Sequence, residues 1–292
     1  MAPTAARLDP LAVRRTLRAA GLRAQHAKSQ NFLADPDVLQ AILDVAAPAP
    51  GDRVLEIGPG LGILTGGLLA AGAQVTAIEL DAGLAGYLRT ELAAPIEAGQ
   101  LTLIQGDALD LELTTIVPSP YAVVANLPYH ITSPTLHRFL DHEPRPRRLV
   151  LMLQAEVAER IAAPPGQMSY LSAFVQYHAT VRIALRVPAE AFEPAPKVAS
   201  AVVVIEPRPD RPLNAEREAD LWRLVHAGFR ERRKMLRNVL ARQLPHLGDR
   251  LDAALVAVGI EGDRRPQTVS VEEWIELLGA LDTTPAAGRP QP

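Results

Sequence analysis

The 292-residue chain contains no cysteine. Disulfides, thiolate zinc sites and cysteine nucleophiles are thereby excluded together. Histidine is sparse, seven in all, and the spacing of these residues matches no metal-ligand pattern, so no metal is expected. Although 48% of the residues are apolar, no uninterrupted apolar run is long enough to span a membrane. The first thirty residues carry several arginines and no apolar signal core, so a secretory leader is not expected and the reading is a cytoplasmic, soluble protein. The sequence has no internal repeat. Its length suits one large domain, or a large one and a small one.

Basic residues are scarce in one place and crowded in two others. Residues 31–110 hold eleven acids against only Arg53 and Arg89. Residues 1–30 hold six bases against one acid, and residues 222–245 hold seven bases against Glu231. A net charge of −3 therefore hides an acidic block flanked by two basic ones. A pocket for a cationic ligand beside a surface for an anionic polymer has this pattern, and so do ordinary solvated helix faces.

Strand-like and helix-like segments alternate from "DRVLEIG" to "QAEVAERIAA". This predicts an α/β fold, a doubly wound parallel sheet. Asp9-Pro10 and Asp35-Pro36 read as helix starts. "VRIALRV" and "ASAVVVIE" add two strands, joined by a Pro-rich loop. After "PRPDRPLN" the pattern is wholly helical. The expected division is a basic segment over 1–30, a catalytic α/β domain over 31–206, a linker over 207–214, a small all-helical domain over 215–282 and a tail over 283–292.

Three strand ends carry ligand chemistry. "LEIGPGLG" follows a strand and opens a helix, with Gly58, Gly60 and Gly62 allowing a tight turn and close backbone approach. The spacing differs from the dinucleotide fingerprint, and a Gly-rich turn alone also serves as plain punctuation. Glu79, about twenty residues on, ends the second strand, where a carboxylate accepts ribose hydroxyls. Asp107 ends the third, placed for an exocyclic amine of adenine, with Ala108 beside it. Each acid alone could be a helix cap; together they favour an adenosine-containing ligand. Glu56, just before the glycines, would repel a pyrophosphate and suits a sulfonium or ammonium group. This favours S-adenosylmethionine over NAD.

The fourth strand ends in Asn126-Leu127-Pro128-Tyr129. In isolation the tetrapeptide reads as a turn. Beside a methyl donor it has a chemical use. An exocyclic aromatic amine is planar and poorly nucleophilic because its lone pair is delocalised. Two acceptors aimed at its hydrogens favour a pyramidal nitrogen; the Asn126 side-chain oxygen and the main-chain carbonyl of Leu127 or Pro128 can be these. Pro128 stiffens the loop, as in-line transfer between closely placed atoms requires. Tyr129 offers a face for the base to stack on.

These stretches carry a resemblance. "SQNFLADPDVL", "EIGPGLGILT", "AIELD", "GDAL", "NLPYHITSP", "LQAEVAERI", "FEPAPKVASAVV", "RRKMLRN" and "TVSVEEW" occur in this order over about residues 25–280. The chain resembles the ribosomal small-subunit RNA adenine dimethyltransferase family, with a Rossmann-like class I methyltransferase fold. The resemblance implies that Gln30, Asn31 and Leu33 line the methionine side of the cofactor, with Gly58, Glu79, Asp107 and Asn126 making other contacts. It implies that Phe192 sandwiches the target adenine opposite Tyr129, although an aromatic residue in a Pro-rich loop is more often a packing anchor. It also implies dimethylation of two adjacent adenosines near the 3′ end of small-subunit rRNA, in a partly assembled 30S particle. Ser29 and Ala125 stand where the family usually has Gly, Ala155 where Lys is common, and "PPGQMSYLS" lacks the usual Lys and Tyr-Gly.

In "FRERRKMLRNVL", Arg230, Arg233, Lys234 and Arg237 fall three and four apart, so one helical face for phosphate contact is expected, with Leu236, Val239 and Leu240 facing the core. A solvated charged face is the bland reading. The protein is expected to be monomeric. Rival readings are the related family that methylates one adenine of large-subunit rRNA, a non-catalytic assembly factor, and an NAD-dependent oxidoreductase.

Overall fold

A computed structural model of the chain describes residues 8–25 and 30–283. The strands are β1 (Phe32–Leu33), β2 (Arg53–Ile57), β3 (Gln74–Glu79), β4 (Leu101–Gln105), β5 (Ala122–Asn126), β6 (Arg148–Gln154), β7 (Ala179–Val187), β8 (Phe192–Glu193) and β9 (Ser200–Pro207). β2, β3, β5 and β6 are buried almost continuously rather than on alternate residues, as strands covered on both faces must be. Helix starts follow the sequence. Asp9 accepts the Ala12 N–H at 2.7 Å, and Asp35 accepts the N–H groups of Asp37 and Val38 at 2.9 and 3.1 Å, with a proline next in both cases.

Seven strands form one sheet in the order β4-β3-β2-β5-β6-β9-β7. β2 to β6 run parallel, and β9 runs antiparallel to both of its neighbours. The doubly wound expectation is met, with one reversed strand. Reversal has a positional consequence. The C-terminal ends of β2, β3, β5 and β6 share one edge of the sheet, and β9 begins at that same edge, with Ser200 opposite Gln154. Ligands bind at this edge in open α/β sheets. The separate pair β1-β8 is antiparallel, Phe32 facing Glu193 and Leu33 facing Phe192.

The chain divides into two compact units. The first holds the described residues up to Ala158 together with Ala179–Pro207; the second holds Glu159–His178 and the described residues from Arg208. The second unit thus begins inside the segment assigned from sequence to the catalytic domain. The reason is packing: Met168, Ala173 and Tyr177 are buried in one cluster with Leu221, Leu236, Leu255 and Trp274. The linker also contributes, since Leu213 packs on this cluster and Arg211 Nη1 bonds both Glu218 oxygens at 3.2 and 3.0 Å. Trp274 lies against Gly228 so closely that a Cβ there would stand 2.5 Å from the indole.

The expected basic helical face is not formed. The helix Ala215–Phe229 stops before Arg230, residues 230–235 turn, and the helix Leu236–Gln243 starts anew. The N–H groups of Leu236 and Arg237 donate to the carbonyls of Arg264 (2.7 Å) and Gly262 (3.2 Å), so this helix starts against a loop instead of continuing the previous one. Arg230, Arg233 and Lys234 sit in the turn and only Arg237 is helical; all four are exposed. Leu236, Val239 and Leu240 are buried, as expected. The N-terminal residues 1–7, Ser29 and residues 284–292, most of the expected tail, lie outside the described residues.

Candidate active site

The sequence brings its functional side chains to the shared strand edge by ending β2, β3 and β5 on polar or glycine-rich turns. The turn after β2 holds Gly58, Gly60 and Gly62 at φ 67°, 61° and 77°, a region that favours glycine. A Cβ on Gly60 would stand 3.1 Å from the Phe32 ring, and one on Gly62 would stand 2.8 Å from Leu88. The turn is held from β3: Glu79 Oε2 accepts the Gly60 N–H at 3.1 Å and Oε1 accepts the Asp81 N–H at 2.9 Å. Glu79 therefore shapes the turn as well as facing the cavity.

A cavity of about 370 Å³ lies inside the first unit, bounded by these turns. It brings together every residue that the sequence assigned to cofactor or catalysis: Gln30, Asn31, Leu33, Glu56, Gly58, Gly60, Glu79, Asp107, Ala108, Asn126, Leu127, Pro128, Tyr129 and Phe192 line it, with one exception. Gly62 does not; it caps the helix Ile63–Ala70 behind the turn.

Glu56 is 1% exposed. Burial pushes its carboxyl up to about 8, against the donated hydrogen bond from Thr65 Oγ1 at 2.7 Å. A buried acid of this kind, on the wall of a cavity, is matched by a cationic group. Asp107 uses Oδ1 to accept the Leu109 N–H at 2.9 Å, the cap that a bland reading gives it, and has a second oxygen to offer an amine.

Asn126 ends β5, and its Nδ2 donates to the Asn31 carbonyl at 3.3 Å. That bond engages one of the two Nδ2 hydrogens and leaves Oδ1 available as an acceptor on the cavity wall. Leu127 is buried, with its N–H donating to the Met152 carbonyl at 3.2 Å, so the loop is pinned to β6. Tyr129 follows Pro128 at the start of a short 3₁₀ turn, and its hydroxyl is hydrogen-bonded to Ser200 Oγ at 3.1 Å. Phe192 is 2% exposed and belongs to the core cluster while lining the cavity. Its pairing with Leu33 through β1-β8 joins the 30–33 segment to this wall of the cavity.

Sequence reasoning missed several cavity residues. Leu80 is 58% exposed beside Glu79, a large apolar surface for a flat ring. An apolar residue just past the strand's terminal acid was the available signal. Phe32, His130 and Ile131 also line the cavity, and nothing in their spacing singled them out.

The family model for "Ribosomal RNA adenine dimethylase" matches residues 21–282, nearly the whole chain. The chain belongs to this family. It is 43% identical over 273 residues to "Ribosomal RNA small subunit methyltransferase A" of Anaeromyxobacter sp. (strain K), covering 89% of this chain and 94% of the relative. A Sphingopyxis alaskensis protein of the same name is 42% identical over 275 residues, 92% of this chain and 98% of that one. Among solved structures, a dimethyladenosine transferase from Plasmodium falciparum superposes with a TM-score of 0.74 at 25% identity, over 87% of this chain and 98% of that one. The 23S rRNA methyltransferase ErmE superposes with a TM-score of 0.70 at 29% identity, over 87% and 100%.

The chain of this dimethylase is thus a class I methyltransferase, and its cofactor is S-adenosylmethionine. The site fits that molecule on its own chemistry. Gly60 keeps the backbone low where a Cβ would meet Phe32; Glu79 closes β3 and Asp107 follows β4 on the cavity wall, where carboxylates would accept ribose hydroxyls and an adenine amine; Glu56, buried on the same wall, would supply a counter-charge to the cationic portion.

Proposed function

We infer that the protein dimethylates N6 of two adjacent adenosines near the 3′ end of small-subunit rRNA, with Asn126–Tyr129 as the reacting loop. One observation carries the mechanism: Asn126 Nδ2 donates to the Asn31 carbonyl, which fixes the amide on the cavity wall and leaves Oδ1 available as an acceptor. The bound cofactor supplies an electrophilic methyl group. Asn126 Oδ1 and the Leu127 or Pro128 carbonyl accept the two hydrogens of the adenine amine, drawing the nitrogen lone pair out of the ring. Preorganised acceptors of this sort act where charge develops, without reorganising during the step. The amine becomes acidic once alkylated, so no strong base is needed and its proton passes through these acceptors to water. Tyr129 stacks on the base, with Phe192 at the other wall, and the base leaves its own stack to enter. For the second transfer only one hydrogen remains, and a single acceptor suffices.

The substrate we propose is a partly assembled 30S particle, with the protein acting as a cytoplasmic monomer without metal. The turn 230–235 is the proposed RNA contact, within the second unit. Arg230 Nη1 donates to Gln243 Oε1 at 3.1 Å and Arg237 is paired with Asp252, whereas Arg233 and Lys234 make no ion pair with any described residue. These two are the better phosphate ligands. Reversing both, Arg233→Glu with Lys234→Glu, weakens subunit binding and lowers the slope of log K against log salt by about 2. Cofactor affinity, followed by calorimetry with S-adenosylhomocysteine, stays at the wild-type value; a parallel loss of both would contradict separate sites.

Transfer of labelled methyl groups to small subunits isolated from a strain lacking this protein tests the function. Label is expected on two neighbouring adenosines, with none on subunits already methylated. The likeness to ErmE favours a second reading, methylation of large-subunit rRNA, and primer-extension mapping distinguishes the two. Subunit binding without transfer would indicate a non-catalytic factor.

A further inference from the structure

Stacking on a base needs only an aromatic face, yet position 129 carries a phenol whose hydroxyl is engaged. Its partner, Ser200, is 1% exposed. Ser200 sits at the head of β9, opposite Gln154 of β6 on one side and Val187 of β7 on the other. Its backbone is therefore held from both flanks, and side-chain rotation is its remaining freedom. Tyr129 belongs to the loop after β5, two strands away in the sheet order. The hydroxyl pair, 3.1 Å apart, spans the end of β6 and ties a loop residue to the interior of the sheet. A second feature agrees. The Leu127 N–H reaches the Met152 carbonyl of β6, so the loop is fixed at its root by backbone and at its tip by a side chain.

We propose that Ser200 is a positioning residue for methyl transfer: its hydroxyl fixes the plane of the Tyr129 ring, and so the face on which the target adenine stacks relative to Asn126. The proposal rests on the reading of Tyr129 as the stacking platform. Ser200 touches neither cofactor nor base. It acts through the phenol, by restricting rotation of the ring about its side-chain bonds. This accounts for a buried hydroxyl among the apolar residues Ala201 to Ile205 that continue β9.

The test is a double-mutant cycle with Ser200→Ala, Tyr129→Phe and the double variant, assayed for transfer to unmethylated small subunits. A shared hydrogen bond predicts that each single variant loses roughly threefold to tenfold in kcat/KM. It also predicts that the double variant loses no more than either single one. Ser200→Thr, which keeps the hydroxyl, recovers most of the rate. S-adenosylhomocysteine affinity, measured by calorimetry, is unchanged in all of them. Additive losses, a wild-type rate in either single variant, or a parallel fall in cofactor affinity would overturn the proposal. Should Ser200→Ala fail to fold, Tyr129→Phe alone decides: a wild-type rate in it refutes the role. Wild-type protein run beside these variants separates the two failures, because absence of transfer from wild type refutes the function and leaves the hydroxyl pair out of account.

Discussion

Asn126→Ala lowers methyl transfer to unmethylated small subunits by on the order of 10²–10³-fold, the cost of removing one preorganised group from a charge-stabilising site. The loss falls on kcat, because the amide oxygen is needed where the amine pyramidalises and little before. Subunit binding, proposed above to rest on Arg233 and Lys234 of the second unit, is retained. Asn126→Asp separates acceptor from donor. A carboxylate keeps the accepting oxygen but cannot donate to the Asn31 carbonyl, where Nδ2 now sits at 3.3 Å, and two oxygens would then face each other. Asp is therefore expected to lose activity too, with a lowered affinity for S-adenosylhomocysteine because the Asn31 carbonyl would face a carboxylate in place of its donor. Transfer at the wild-type rate by Asn126→Ala, measured in single turnover, would remove the amide from the mechanism.

The second large effect is a pH dependence centred on Glu56. Burial raises this carboxyl from 4.5 to about 8. Between those values the folded, ligand-free protein holds a proton that the unfolded chain has released. Stability is thus greatest below about 4.5 and declines as pH rises toward 8, by on the order of a few kcal/mol from this group alone. A cationic ligand reverses the preference, since it favours the ionised acid. Cofactor affinity accordingly rises with pH across the same window, and binding at neutral pH releases a proton into the buffer. Glu56→Gln flattens both profiles and weakens S-adenosylmethionine binding by about tenfold at pH 8. Calorimetry in buffers of different ionisation enthalpy reads the proton directly. Equal proton release by the Gln variant would show that another group carries the linkage.

Most of the first unit was legible because its signals are local. Asp-Pro starts two helices with the expected caps, and the mostly apolar "RVLEI" before Gly58 gives a parallel strand buried from Val54 onward. Glu79, which closes β3, and Asp107, just past β4, were legible in position for the same reason, each being an acid at the end of a strand pattern. The missed features depend on partners far away in sequence. The break at residue 230 comes from the carbonyls of Gly262 and Arg264, some thirty residues on, which take the N–H groups of Arg237 and Leu236. Helical spacing in "FRERRKML" cannot report that competition. The unit boundary was displaced for a similar reason: Tyr170–His178 is an ordinary helical pattern, and only the packing of Tyr177 and Met168 against Leu221 and Trp274 assigns it to the second unit. Ser200 was invisible as a site residue because a serine at the start of a strand is common, and its hydroxyl acquires meaning from Tyr129, 71 positions away. Glu79 illustrates a mixed case. Its position suggested a ribose contact, but its bond to the Gly60 N–H, which also holds the turn, required the fold.

The central claim is geometric: two oxygen acceptors of the 126–128 bend meet the amino hydrogens of adenine. A crystal structure with adenosine and S-adenosylhomocysteine bound together tests it most directly. The expected result places N6 within about 3 Å of both Asn126 Oδ1 and the carbonyl of Leu127 or Pro128, with the base against the Tyr129 ring. An adenine whose amino group meets neither oxygen, or an Asn126 amide turned to present its nitrogen, would contradict it.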